Sequence, residues 1–177
     1  VRKALKELLP QNPVGIILDL RNNSGGYLDA AFDVTSLFIE DGPIMVEEYG
    51  DGTTYTYDAL GDAIAQDIPL VVLVNEGTAS ASEITAGAIQ DRGRGTLVGM
   101  TTYGKGSVQN WIELDGDNGA IRVTIARWLT PDSRQINDVG LTPDVQVDYT
   151  QEDFDAGLDP QLDKAVEIML AISIDAS

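Results

Sequence analysis

Residues 69–83 read PLVVLVNEGTASASE, and this stretch decides the fold class. Pro69–Val74 is an apolar run without alternation, which is typical of a strand buried on both faces of a parallel sheet. Gly77 then turns the chain, and apolar spacing predicts a helix over 78–91. A buried strand followed by a tight turn and a helix is the repeating unit of an α/β protein.

The same order of elements recurs on both sides of this stretch. A second buried strand is predicted over 14–20, a glycine loop over 21–26 and a helix over 27–40. Further predicted elements are a helix over 2–9, a strand over 95–99, hairpins at 44–57 and 107–129, and a helix over 159–172. The sequence therefore predicts an α/β fold with additional β-hairpins, in a single domain over 1–177.

The composition excludes several kinds of site. The 177 residues carry 11 Lys and Arg against 29 Asp and Glu, a formal net charge of −18, with no His and no Cys. Ser-His-Asp and Cys-His sites, disulfides and thiolate metal sites are therefore excluded, and a general base must be Asp, Glu, Lys, Tyr or a terminal amine. The acidity disfavours nucleic acid and anionic membranes, and no apolar run is long enough to span a bilayer.

Ser80 is the first candidate for chemistry, because it lies where the predicted helix begins. Free N–H groups there favour negative charge, and the Ala81 N–H could donate to an oxyanion beside the serine hydroxyl. The alternative is structural, since Ser80 and Glu83 have the spacing of a capping box. Both roles are compatible with one serine.

Two glycine-containing loops supply the other candidates. Lys105 stands between Gly104 and Gly106 in a chain with only four lysines. Burial of this loop would desolvate the amine, lower its pKa and make it a base, whereas an exposed loop lysine is the alternative. Gly25–Gly26 follows a buried strand, and it is either an anion-binding nest or a plain turn.

No cofactor or metal site is predicted. Residues 99–105 fit the start of a phosphate-binding P-loop, but Gly106 stands where Ser or Thr should bind magnesium. Residues 115–119 lack the spacing of a calcium-binding EF-hand and are predicted to form a hairpin turn.

Five segments together resemble the C-terminal processing peptidases, also called tail-specific proteases. They are GIILDLRNNSGG at 15–26, PLVVLVN at 69–75, GTASASEI at 77–84, TYGKGSVQ at 102–109 and INDVGLTPDV at 136–145. Their order and spacing match over roughly residues 2–172. The resemblance implies a crotonase/Clp-protease-like ββα core and a serine–lysine dyad. It implies Ser80 as nucleophile, Lys105 as general base, Gln109 orienting the lysine, and an oxyanion hole of the Ala81 N–H and one N–H of Gly25 or Gly26.

The implied function is a serine endopeptidase that cuts peptide bonds near protein C-termini through an acyl-enzyme. Its partner would be a protein or peptide substrate, without nucleic acid or membrane insertion, and a homo-oligomer is compatible with the resemblance. Such peptidases are mostly extracytoplasmic in bacteria, which sets the expected location. The PDZ-like domain and the strand that usually precede this segment are expected to be absent from this chain. A non-catalytic module that binds a peptide or an apolar ligand is the alternative.

Overall fold

The computed structural model describes residues 1–116 and 118–175, which form two four-stranded sheets with helices packed around them. The helices are α1 (Arg2–Leu8), α2 (Leu28–Thr35), α3 (Ala81–Asp91), α4 (Gln151–Ala156) and α5 (Pro160–Asp175), with a 3₁₀ turn at Leu9–Gln11. The strands are β1 (Ile16–Asp19), β2 (Pro43–Tyr49), β3 (Thr54–Asp58), β4 (Leu70–Val74), β5 (Thr96–Gly99), β6 (Ser107–Glu113), β7 (Ala120–Leu129) and β8 (Val145–Gln146).

The first sheet is entirely parallel, in the order β1-β4-β5-β8. All five residues of β4 are buried, because successive side chains enter two different cores. Val72 and Val74 belong to the larger core, which includes residues of α2 and α3. Val71 and Leu73 pack in the smaller core with Ala165 of α5. The predicted buried strand is therefore confirmed, with helices covering both of its faces.

The second sheet is antiparallel, in the order β3-β2-β7-β6. It consists of the two predicted hairpins, joined by the pairing of β2 with β7. The Leu114 N–H donates to the Gly119 carbonyl at 2.9 Å and closes the turn between β6 and β7. Asp117 in the predicted turn lies outside the described residues. This sheet places β6 and β7 beside the loops that follow β4 and β5.

The helix predicted over 27–40 is shorter than expected, since α2 ends at Thr35. Residues 36–39 are buried after the helix ends, so their apolar spacing reflects burial in a turn. The Leu37 carbonyl accepts the N–H groups of Ile64 and Ala65, and the Phe38 carbonyl accepts the Arg94 side chain at 2.9 Å. Distant backbone and side-chain donors thus replace the helical hydrogen bonds.

Arg21 ties the end of β1 to the start of α5. Its guanidinium bonds to Asp19 at 2.7 Å, Asp159 at 2.8 Å and Gln161 at 3.2 Å. Hydrogen bonds to Asp19 and Asp159 raise the pKa of Arg21, and the bond from Arg21 lowers the pKa of Asp159. This cluster holds the strand end from which the Gly25–Gly26 loop departs. Among the described residues, no helix combines the length and apolar character that crossing a membrane would need.

Candidate active site

Ser80 occupies a sharp turn between β4 and α3. Its backbone has φ 55° and ψ −121°, a conformation that costs a residue with a side chain roughly 1–3 kcal/mol. Ser80 is the N-cap residue of α3, as predicted. Backbone strain of this kind persists only where surrounding contacts hold it, so the contacts of this turn identify what positions the serine.

The start of the turn is held by side chains at the end of β4. The Asn75 amide oxygen accepts the N–H groups of Asn22 at 2.8 Å and Gly77 at 3.0 Å. The Thr78 hydroxyl donates to the Leu20 carbonyl at 2.8 Å. These bonds join the loop after β4 to the loop after β1, so the serine turn and the glycine loop are parts of one structure.

Glu83 joins the serine turn to the lysine loop, which is the segment 101–106 between β5 and β6. Its side chain is fully buried, and Oε2 accepts the N–H of Ser80 at 2.8 Å and of Lys105 at 2.9 Å. Oε1 accepts the Gly104 N–H at 2.7 Å and the Thr102 hydroxyl at 2.5 Å. The Ser80 contact is the Glu83 half of the predicted capping box. The contacts with the lysine loop were missed, because no local pattern relates Glu83 to a segment about twenty residues away.

The lysine loop is shaped by the segment 136–140 that packs beneath it. A Cβ at Gly104, where φ is 87°, would lie 2.7 Å from the Gly140 nitrogen, and one at Gly106 would lie 2.8 Å from the Asn137 nitrogen. Both glycines therefore permit close backbone approach. Lys105 itself is exposed, so the exposed-loop alternative holds and its side chain is not buried by the loop. The Trp128 ring N–H donates to the Lys105 carbonyl at 2.9 Å and fixes the loop against the second sheet.

A cleft of about 500 Å³ brings the predicted residues together. Ser80, Lys105 and Gln109 all line it, and so does Gly26. Gln109 lies in β6, three positions after Gly106. Apolar side chains complete the walls, among them Leu28, Met45, Ile84 and Trp128. The cleft is large enough for an extended peptide segment.

Gly25 and Gly26 lie directly against the serine turn. A Cβ at Gly25, where φ is 94°, would lie 2.6 Å from the Ala79 carbonyl oxygen and 2.8 Å from the Ala81 nitrogen. The Gly25 N–H already donates to the Asn23 side chain at 3.0 Å. Gly26 is exposed and lines the cleft with Ser80. These contacts favour Gly26 over Gly25 as the donor that faces the serine.

A second, smaller pocket of about 150 Å³ is also lined by the glycine pair. Ala81 and the side chains of Leu18, Ala31 and Val34 line it as well. The pocket is largely apolar and adjoins the cleft through the shared glycine loop.

Comparisons with known proteins identify the family and relatives of this chain. The model of Peptidase family S41 matches residues 1–147. The carboxyl-terminal-processing protease of Synechocystis sp. is 48% identical over 148 residues, which cover 84% of this chain and 34% of that protein. The chloroplastic C-terminal processing peptidase of Tetradesmus obliquus is 42% identical over 147 residues, covering 83% and 32%. The chain thus spans about a third of the length of these relatives.

Solved structures confirm the predicted fold. The photosystem II D1 C-terminal processing protease superposes with a TM-score of 0.79 at 42% identity, over 83% of this chain and 38% of that chain. The tricorn protease superposes with a TM-score of 0.62 at 22% identity, over 90% of this chain and 15% of that chain, and shows a shared fold alone. The matched residues 1–147 include the glycine loop, the serine turn and the lysine loop. This chain therefore belongs to peptidase family S41.

Proposed function

We propose that this chain is the catalytic core of a serine peptidase, with Ser80 as nucleophile and Lys105 as general base. The observation that carries the proposal is the Glu83 carboxylate, one oxygen of which accepts the N–H groups of both Ser80 and Lys105. The two residues are 25 positions apart in sequence, and both line the same cleft. Membership of a peptidase family supports the same assignment.

The chemistry would proceed through an acyl-enzyme. The neutral Lys105 amine takes the Ser80 hydroxyl proton while Oγ attacks the peptide carbonyl carbon, and the N–H groups of Ala81 and Gly26 stabilise the resulting oxyanion. Lys105 then protonates the leaving amine, and water hydrolyses the Ser80 ester. Each oxyanion donor would contribute about 2.7–4 kcal/mol to lowering the barrier. Gln109, on the neighbouring strand, would orient the lysine amine.

A bound peptide would supply the desolvation that the free cleft lacks. Lys105 is exposed, and the cleft above it is open to water. A peptide lying across Lys105 and Trp111 would displace that water, and removing water from an ammonium group favours its neutral form. Activation of the base would then depend on substrate binding.

The small apolar pocket that the glycine pair lines is suited to the substrate side chain on the acyl side of the cut bond. Gly26 and Ala81, the proposed oxyanion donors, both line it, so a side chain next to the reacting carbonyl would reach it. Its volume of about 150 Å³ suits a small or medium apolar side chain such as Ala, Val or Leu.

Cleavage near protein C-termini is proposed from the relatives, which are named for carboxyl-terminal processing. A non-catalytic binding module on the same fold has no specific observation in its favour, since Ser80, Lys105 and Gln109 share one cleft. The extracytoplasmic location, homo-oligomerisation and the single-domain organisation stay predictions.

Hydrolysis of short peptides with free C-termini tests the proposal. The chain and its Ser80→Ala and Ser82→Ala variants would be incubated with peptides that carry Ala, Leu or Trp before the candidate bond, and the products identified by mass spectrometry. We expect cleavage after Ala and Leu, little after Trp, no cleavage by Ser80→Ala, and retained cleavage by Ser82→Ala. Equal cleavage by Ser80→Ala and the parent chain would contradict the assignment.

A further inference from the structure

A cation–aromatic pair lines the cleft at a distance from the serine turn. Arg122 in β7 stands directly opposite Trp111 in β6, and its guanidinium carbon lies 5.4 Å from the Trp111 ring centroid. Trp111 is 60% exposed, and both side chains line the cleft that contains Ser80 and Lys105. Stacking on the indole orients the guanidinium while leaving its N–H groups free to bind a ligand.

Arg122 differs from the other arginines of this acidic protein. Five arginines form ion pairs with carboxylates: Arg2 with Asp62, Arg21 with Asp19, Arg92 with Asp41, Arg127 with Glu48, and Arg134 with Asp91. Arg94 instead donates to three backbone carbonyls. Within residues 1–116 and 118–175, Arg122 forms no ion pair with a carboxylate.

No acidic residue of the described structure lines the cleft, although acidic residues outnumber basic ones in the chain. The chain carries 29 Asp and Glu against 11 Lys and Arg, yet the charged groups that line the cleft in the described structure are Lys105 and Arg122. The charged side chains that line the cleft are therefore positive and attract an anionic group, although the whole protein carries a negative net charge.

The strand register gives the position of Arg122 along a bound peptide. Gln109 pairs with Thr124 and Trp111 pairs with Arg122, so Arg122 lies one two-residue step beyond the level of Gln109. That step is about 7 Å in an antiparallel strand, which equals the length of two extended peptide residues. Because the proposed function puts Gln109 beside the lysine amine that serves the reacting bond, a peptide that follows the hairpin would place a group about two or three residues beyond that level beside the guanidinium.

We propose that Arg122, held on Trp111, binds a carboxylate of the peptide substrate about two or three residues from the bond cut at Ser80. The guanidinium fork matches a carboxylate with two parallel N–H···O bonds. The carboxylate is either the free C-terminus of the peptide or an acidic side chain, because both offer the same pair of oxygens. The inference rests on the proposed function, since it places a peptide in the same cleft.

Peptide binding to the Ser80→Ala chain tests this without cleavage. Three labelled peptides of one neutral sequence would be compared by fluorescence anisotropy: one with a free C-terminus, one amidated, and one amidated with an Asp at the third position from the end. We expect the first or the third to bind at least about tenfold more tightly than the second. Whichever peptide is preferred identifies the source of the carboxylate.

Three further variants decide whether Arg122 is responsible for the preference. Arg122→Gln in the Ser80→Ala chain should abolish the preference, while Arg122→Lys should keep part of it. Arg127→Gln is the matched control, because Arg127 lies in the same strand and pairs with Glu48. It should leave the preference unchanged. A preference that survives Arg122→Gln, or equal affinities for all three peptides, would overturn the proposal.

The outcome for Arg122 is separable from the outcome for catalysis. Carboxylate-dependent binding without any hydrolysis by the parent chain would support the role of Arg122 and contradict the proposed peptidase activity. Hydrolysis by the parent chain, with the same preference in Arg122→Gln, would support the peptidase and overturn the role of Arg122.

Discussion

Replacement of Glu83 by Gln would show how far one buried carboxylate holds the serine turn and the lysine loop together. The change keeps the side-chain shape but places an NH₂ group where one oxygen stood. On the Oε2 side that group would face two backbone N–H groups, whereas on the Oε1 side the Thr102 hydroxyl can rotate and accept from it. The amide should therefore place its NH₂ near Thr102, which leaves the Gly104 N–H without its acceptor.

The expected loss in the free energy of unfolding follows from these contacts. A buried N–H group without an acceptor costs about 1–3 kcal/mol, and each bond that changes from a charged to a neutral acceptor loses about 1 kcal/mol. With the bonds of Ser80 and Lys105 weakened in this way, the total is about 3–5 kcal/mol. Domains of this size have a free energy of unfolding of about 5–15 kcal/mol, so the variant should still fold at room temperature, with a loosened serine turn.

Urea unfolding followed by far-ultraviolet circular dichroism measures the stability, and the rate of labelling by a fluorophosphonate probe measures the reactivity of the serine. We expect Glu83→Gln to label at least about 100-fold more slowly than the parent chain, because a displaced nucleophile loses its alignment with base and oxyanion donors. Glu7→Gln is the matched control, since Glu7 is exposed and its ion pair with Lys3 at 4.0 Å is an exposed one. It should change stability by less than about 0.5 kcal/mol. Parent-like stability and labelling in Glu83→Gln would refute the reasoning.

Substitutions at three other positions follow from the geometry. Ser80→Gly and Ser80→Ala should both be inactive, but the glycine variant should be more stable by about 1 kcal/mol in urea unfolding, because φ 55° suits glycine; the reverse order would contradict the backbone conformation. Lys105→Met should abolish peptide hydrolysis while changing the unfolding free energy by less than about 0.5 kcal/mol, since Lys105 is exposed; retained hydrolysis would remove Lys105 as the base. Asp159→Asn should lower stability by about 1–2 kcal/mol at pH 7. The Arg21 hydrogen bond depresses the pKa of Asp159, so its contribution is present above the ordinary pKa of about 4 and lost as pH falls through the folded value. The variant should therefore lose less stability than the parent between pH 7 and pH 2 in urea unfolding, and identical pH dependence would contradict the role of the pair.

Much of the fold could be predicted because its signals are local. The uninterrupted apolar run at 70–74 indicated a strand buried on both faces, and β4 is that strand. Alternation around glycine-rich turns likewise indicated the two hairpins. The end of α2 could not be predicted, because the apolar residues after Thr35 keep helical spacing while their backbone bonds go to residues 64 and 65. The two-residue strand β8 is too short to produce a periodic signal.

In the candidate site as well, features with a local sequence pattern could be predicted, and contacts between distant segments could not. Ser80 and the Gly25–Gly26 pair were recognisable because a turn after a buried strand has a local sequence pattern. The environment of Lys105 was not, since the segment 136–140 and the carboxylate of Glu83 shape its loop from distant parts of the chain. The pairing of Trp111 with Arg122 likewise depends on the register of the hairpin, which the turn closed by the Leu114–Gly119 hydrogen bond sets from Glu113 and Ala120 onward.

The central claim is that Ser80 is a nucleophile activated by Lys105. The most direct measurement is the site of fluorophosphonate attachment, read by mass spectrometry of proteolytic fragments of the labelled chain and of its Lys105→Met variant. We expect one phosphonylated residue, Ser80, in the parent chain and at least about a 100-fold slower reaction in Lys105→Met. Attachment at Ser82 or another serine, or an equal rate at Ser80 in both chains, would contradict it.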